Sequence, residues 1–240
     1  NLLRNRSDRI AIVGRLENGS RITLSYGQLY EQVEQCAAAM RSVGVECGDR
    51  VAGFMPNVSE TVVAMLATTS IGAIWSSCSP DFGINGVMDR FGQIKPKLLF
   101  GCNGYYYNGK TIDSTPTLQQ ICDNIDSIEQ LVVVPVIEQL ADLPAHGKAV
   151  IFNEFLVSKN TPELAFEQLP FNHPLYIMYS SGTTGVPKCI VHGAGGTLIQ
   201  HLKEHQLHVN LKPADKIFFY TTCGWMMWNW LVSSLASKAS

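Results

Sequence analysis

The chain has 240 residues, 46% of them hydrophobic and 16% charged, with 18 basic and 20 acidic side chains and a formal net charge of -2. A balance so near neutral leaves no electrostatic footprint for nucleic acid or for an anionic membrane surface. No apolar run reaches the roughly 18 residues that span a bilayer, and no secretory signal opens the sequence.

The first elements follow from short-range signals. Residues 9–15 and 21–25 are extended runs joined across Glu17-Asn18-Gly19-Ser20, where Asn-Gly is a strong hairpin signal. Ser25 is placed to cap a helix, with Gln28 completing a capping box. Leu29, Val33, Cys36, Ala37 and Met40 recur at helical spacing up to Gly44. The sequence then predicts strands over 50–55, 73–77, 98–101 and 131–134, and helices over 59–71, 84–94 and 117–126. This alternation of strand and helix points to an α/β fold, with parallel-sheet sub-domains flanked by helices. Sheets of this kind bind ligands at the carboxyl ends of their strands.

Residues 138–172 contain Pro144, Pro162 and Pro170 and read as a connection that closes a first sub-domain, 1–172. A second sub-domain, 173–240, opens with a strand at Pro174. A helix from Gly195-Gly196 to about His208 and a strand over 216–222 are expected further on. The run Trp225-Met226-Met227-Trp228-Asn229-Trp230-Leu231-Val232 is apolar on every side, which calls for burial.

The seven cysteines (36, 47, 78, 102, 122, 189, 223) are odd in number and scattered, without a Cys-x-x-Cys pair. They read as reduced thiols of an intracellular, cytosolic protein, so the glycosylation-type triplets at Asn18 and Asn57 carry little weight.

Between the strands at 174–178 and 189–191 stands Tyr179-Ser180-Ser181-Gly182-Thr183-Thr184-Gly185-Val186-Pro187-Lys188. Glycines let a backbone approach an anion, successive N–H groups form a nest for it, hydroxyls add donors, and the lysine adds a mobile charge. That is a device for holding phosphates. A plain exposed turn has the same composition. The Walker arrangement does not fit, because Val186-Pro187 separates Gly185 from Lys188.

The order of these residues resembles the phosphate-binding loop of the adenylate-forming enzymes, the acyl-CoA synthetase and luciferase superfamily. Thr23-Leu24-Ser25-Tyr26-Gly27-Gln28-Leu29, Gly48-Asp49-Arg50-Val51 and Cys78-Ser79-Pro80-Asp81-Phe82 are similar to further segments of it, the last in the acetyl-CoA synthetase branch. Cys223-Gly224-Trp225-Met226-Met227-Trp228-Asn229-Trp230 most resembles the acetoacetyl-CoA synthetases within that branch. The resemblance runs along nearly the whole chain and implies part of the N-terminal domain of the adenylate-forming fold.

It also implies a two-step ligase that joins acetoacetate to CoA at the expense of ATP, in lipid and fatty-acid metabolism and ketone-body utilisation. Ser180, Ser181, Gly182, Thr183, Thr184, Gly185 and Lys188 match the family's loop and would hold the ATP phosphates with Mg²⁺, Thr183 and Lys188 serving the chemistry. Cys189 departs from the family's usual glycine. Trp225, Met226 and Met227 stand where the branch lines its acyl pocket, although such a cluster also suits a core. Asn108, Gly109 and Lys110 stand where it contacts the CoA phosphates.

His201, His205 and His208 share one helical face. The apolar stripe of Leu198, Leu202, His205 and Val209 favours a core histidine over a metal ligand, and no metal site is expected. His192 suits either a core or a nucleotide. The adenine, ribose and C-terminal-lysine segments of the family do not occur by Ser240, so a truncated chain is expected. The alternative to a working ligase is an inactive piece that only binds nucleotide or a partner.

Overall fold

The hairpin signal at Asn18-Gly19 sets the first turn of the molecule. In a computed structural model, which describes residues 2–138, 143–156, 162–180 and 185–240, β1 (Ile10–Arg15) and β2 (Arg21–Ser25) pair antiparallel around it. Gly19 takes φ +85°, a left-handed value that is unstrained without a Cβ. Ser25 caps α1 (Tyr26–Ser42) reciprocally. Its hydroxyl accepts from the Gln28 N–H, and the Gln28 side chain accepts from the Ser25 N–H, which satisfies two donors the first turn leaves open.

The chain continues through β3 (Arg50–Phe54), α2 (Ser59–Ser70), β4 (Ile74–Cys78), α3 (Ile84–Ile94), β5 (Leu98–Cys102), the hairpin β6 (Gly104–Tyr107) and β7 (Lys110–Asp113), α4 (Thr115–Asn124) and β8 (Gln130–Val134). After these come β9 (Ala149–Ile151), α5 (Phe152–Leu156), β10 (Pro174–Tyr179), β11 (Cys189–Gly193), α6 (Ala194–Lys203) and α7 (Met226–Ser233). Seven strands form one sheet in the order β11-β10-β4-β3-β5-β8-β9. Every neighbouring pair is parallel except β10 with β11.

Strands β4, β5 and β8 are buried at every residue, as parallel strands covered on both faces must be. Alternate side chains divide between two cores, following the period of two along a strand. Val51, Leu98, Phe100 and Val132 join Leu29, Val33, Met40 and Val63 of α1 and α2 on one face. Ala52, Leu99, Leu131 and Val133 join Val87, Phe91, Leu118 and Ile121 of α3 and α4 on the other. The α/β class and the parallel sheet with flanking helices are therefore as the sequence predicts.

Three stretches differ from expectation. The connection over 138–172 carries structure: β9 extends the sheet beside β8, and α5 sets Phe152 and Phe155 edge-on to Phe100, centroids 6.2 Å away in each case. A three-residue strand is too short to show a period. Among the described residues, 216–222 has no ladder partner and forms no strand, with Phe218 82% and Tyr220 86% exposed. The 195–208 helix ends as α6 at Lys203 and continues as a π-helical turn, Glu204–His208. Among the described residues no helix is long and apolar enough to cross a membrane.

Candidate functional site

Because β3, β4, β5, β8 and β10 run in one direction, whatever follows them leaves the sheet at one edge. That edge collects the segment after β3, Cys78–Asp81, the β6–β7 hairpin and the described ends of the 180–188 loop, Ser180 and 185–188. It is the edge where parallel sheets bind ligands.

Ser181, Gly182, Thr183 and Thr184 lie outside the described residues. The loop's two ends are closed on each other. The Ser180 N–H donates to the Lys188 carbonyl at 3.0 Å, and the Ser180 hydroxyl accepts from the Lys188 N–H at 3.2 Å. Gly185 takes φ +146°, a value side chains rarely adopt. Lys188 is exposed. The ion pair among the described residues joins Lys97 to Asp49 at 3.1 Å, so the Lys188 ammonium has no carboxylate partner there. A free cation beside closed loop ends suits an incoming anion.

Tyr179, just before the loop, is fixed from two sides. Its hydroxyl accepts from Ser76 Oγ at 3.0 Å, and the Arg90 guanidinium stands 5.7 Å from its ring centre. Burial pushes its phenol far above the usual range, so it stays protonated and uncharged. Gln93, also on α3, donates to the Pro187 carbonyl at 2.8 Å. Sequence reasoning missed Arg90 and Gln93. They sit on an ordinary amphipathic helix and belong to no motif.

Gly224 lies against the end of β4, where an added Cβ would make ordinary contact 3.6 Å from the Ser77 carbonyl and 3.7 Å from the Ser79 nitrogen. Ser77 Oγ donates to the Cys223 carbonyl at 2.7 Å, and Trp228 Nε1 donates to Asn57 Oδ1 at 2.9 Å. Asn229 Nδ2 reaches Met178 Sδ at 3.6 Å, which seats α7 on the strand that leads into the loop. Trp225, Met226 and Met227 thus start α7 at the same sheet edge as Ser180. The burial expected for 225–232 holds only for part of it: Trp228 and Trp230 are buried, whereas Trp225 is 64% and Met226 44% exposed.

Asn108 and Gly109 take φ +51° and +71°, the two positive values of a tight hairpin turn between Tyr107 and Lys110. The Gly109 N–H donates to Glu17 Oε2 at 3.2 Å. His201 and His205 are buried where α6 meets α7. Ser233 Oγ lies 2.9 Å from His201 Nδ1, and the His205 ring centre lies 4.4 Å from that of Trp230. Desolvation lowers the pKa of both, His201 to about 4. His208 is exposed, and His192 stacks on Tyr176 at 5.3 Å. Among the described residues no group of three or more His, Cys, Asp or Glu side chains could hold a metal ion.

A hydroxyl- and glycine-rich sequence whose described ends stand at the carboxyl edge of a parallel sheet, beside the start of α7, is the arrangement in which α/β folds bind ligands. The chain matches the AMP-binding enzyme family over residues 2–237 and belongs to that family. Its relatives include acetoacetyl-CoA synthetase of Mus musculus, 51% identical over all of this chain and 37% of that protein. Acetoacetyl-coenzyme A synthetase of Rhizobium meliloti is 50% identical with the same coverage. Malonamoyl-CoA synthetase vrtB of Penicillium aethiopicum is 46% identical over 96% of this chain and 33% of that protein. Acetoacetyl-CoA synthetase from Streptomyces lividans superposes with a TM-score of 0.93 at 39% identity, over 99% of this chain and 36% of that structure. The chain thus spans little more than a third of the length of the proteins it matches.

Proposed function

We propose that this chain contributes the phosphate-holding and acyl-pocket edge of an ATP-dependent acid–thiol ligase that activates acetoacetate. The acid's carboxylate attacks the α-phosphorus of ATP and pyrophosphate leaves; the thiol of CoA then attacks the acyl carbon and AMP leaves. The observation that carries the reading is the shared sheet edge, where Ser180 and Lys188, which has no carboxylate partner among the described residues, stand one helix contact away from Gly224–Met227. The burden on such a site is to fix an in-line attack and offset phosphate charge, which positioned donors supply.

In this reading Ser180, Ser181, Gly182, Thr183, Thr184, Gly185 and Lys188 cradle the phosphates, with Thr183 and Lys188 closest to the chemistry. Asn108, Gly109 and Lys110 meet CoA, and Trp225, Met226 and Met227 line the acid. No carboxylate or imidazole cluster for a metal is found among the described residues. Hydroxyls and phosphate oxygens are ligands Mg²⁺ accepts, so the ion fits as one carried in on ATP, where it neutralises phosphate charge. Acetoacetate and malonamate, the acids in the relatives' names, share a carbonyl β to the carboxylate, which makes short 3-carbonyl acids the substrate class.

Free cysteines at all seven positions, five of them buried, support a reducing compartment, and we propose the cytosol, in lipid, fatty-acid and ketone-body metabolism. The net charge of -2 gives no support to a nucleic-acid partner.

The test is ATP–pyrophosphate exchange with acetoacetate, acetate and butyrate, on this chain and on a polypeptide extended to its relatives' length. Acetoacetate should drive exchange best in the longer one. Lys188→Ala should lower it about ten- to hundred-fold, the loss of a charged hydrogen bond of roughly 1.5–3 kcal/mol. Equal or better use of butyrate would refute the substrate class. The exposed Phe218, Tyr220 and Trp225 favour a second reading for the 240 residues alone, a module that binds nucleotide or a partner without turnover. Robust exchange by this chain by itself would exclude it.

A further inference from the structure

The exit of the 180–188 loop is held by side chains outside it. The Gln93 amide nitrogen donates to the Asp89 carbonyl of its own helix at 2.5 Å and to the Pro187 carbonyl at 2.8 Å. The amide oxygen lies 3.6 Å from Cys189 Sγ, which donates to it. Two carbonyls on one side of an amide can be met only by its NH2 group, so the orientation is fixed, and both polar atoms of the Gln93 side chain are used. One turn earlier on α3, Arg90 stands 4.7 Å from the Phe82 ring centre and 5.7 Å from that of Tyr179. The helix therefore engages the chain on both sides of the loop, at Tyr179 before it and at Pro187 and Cys189 after it.

Lys188 lies between the two residues that Gln93 holds, and its backbone in turn closes on Ser180. Cys189 supplies the thiol that meets Gln93, where a glycine would offer no side chain. We propose that Gln93 and Cys189 form a clamp that positions Lys188 for the triphosphate, Gln93 acting as a positioning residue through the Pro187 carbonyl. The proposal rests on the phosphate-loop reading for its consequence, and on the geometry alone for the clamp. A long, flexible lysine gains affinity when its backbone is fixed beforehand, because less freedom is lost on binding.

Hydrogen exchange across 180–189, measured together with ATP·Mg²⁺ titration, separates the two. Gln93→Ala should speed exchange of the Ser180 and Lys188 amides about three- to ten-fold, the range for one hydrogen bond, and weaken ATP·Mg²⁺ by a similar factor. Cys189→Ala should do the same to a smaller degree. Cys189→Ser, which keeps a donor, should stay close to the parent, and the Gln93→Ala/Cys189→Ala pair should be no worse than Gln93→Ala alone. Gln93→Glu, which turns an acceptor toward two carbonyls, should loosen the loop more than alanine does. If Gln93→Ala and Gln93→Glu leave exchange at 180–189 unchanged, the clamp is wrong. If exchange responds but the parent chain binds no ATP·Mg²⁺, the clamp stands and the phosphate reading falls.

Discussion

At the scale of single residues, Gly53 and Trp75 pack too closely to admit a side chain on the glycine. A Cβ placed on Gly53 would come within 2.6 Å of the indole, and the ring is 1% exposed, with Phe100 at 6.4 Å behind it. A rigid buried ring cannot swing aside as the end of a lysine can, so β3 and β4 would have to part. Gly53→Ala should cost about 1–3 kcal/mol, read as a lower urea midpoint with unchanged slope. An unchanged midpoint would mean that the ring has room the packing does not suggest. Nothing in the sequence marks this glycine, which reads as one more small residue in a strand. The glycines that were legible, Gly19 and Gly44, answer to local turn geometry, and both take φ +85°.

At the scale of elements, the contact between α6 and α7 is built on histidines held neutral. His201 faces Ser233 of α7, His205 and Glu204 of the π-helical turn that follows its helix, and His192 of β11. Desolvation is the largest cause of its lowered pKa, followed by His205, and Glu204 opposes them weakly. A group whose folded pKa, about 4, lies below its unfolded value near 6.5 binds fewer protons folded than unfolded between those limits. Stability should be level above about pH 6.5 and decline as the pH falls toward 4, by up to about 3 kcal/mol from this residue. Denaturation at several pH values checks it, since His201→Asn should remove much of that slope. The core role of His205 was readable in the apolar stripe around it, and the capped α1 in Ser25 and Gln28. The π-helical turn after Lys203 and the unpaired 216–222 stretch were not, because both depend on what packs alongside rather than on local propensity. The site was legible in the same uneven way. The loop and Gly224-Trp225 announce themselves by motif, whereas Arg90 and Gln93 acquire a role only when α3 is laid beside β10 and β11.

At the scale of the whole molecule, residues far apart in sequence are tied by a few hydrogen bonds to one short turn. Arg4 and Arg9 donate to the carbonyls of Ala236 and Lys238 at 2.9 and 3.1 Å, and the Tyr26 hydroxyl donates to that of Ala239 at 2.6 Å. The same turn is bonded through Ala214 and Ile217 to the chain leading into α7. Burial pushes the Tyr26 phenol up to about 12, so it keeps its proton, and its donor role, throughout the neutral range. Tyr26→Phe removes the donor while leaving the Ala239 carbonyl among residues with no exposure to water, a loss of about 1–3 kcal/mol. For a chain of this size each kcal/mol moves the melting temperature by roughly 2–4 °C. The shape of the transition says more than its midpoint. β10 hydrogen-bonds to β4 within one sheet and α7 packs on β10, so unfolding should be cooperative across the 172–173 junction. Tryptophan fluorescence, to which Trp225, Trp228 and Trp230 of the α7 region contribute, should fall together with the far-UV helix signal in both parent and variant. If Tyr26→Phe shifts the fluorescence transition ahead of the helix transition, residues 173–240 detach as a unit of their own, and the shared sheet is too weak a seam to hold them.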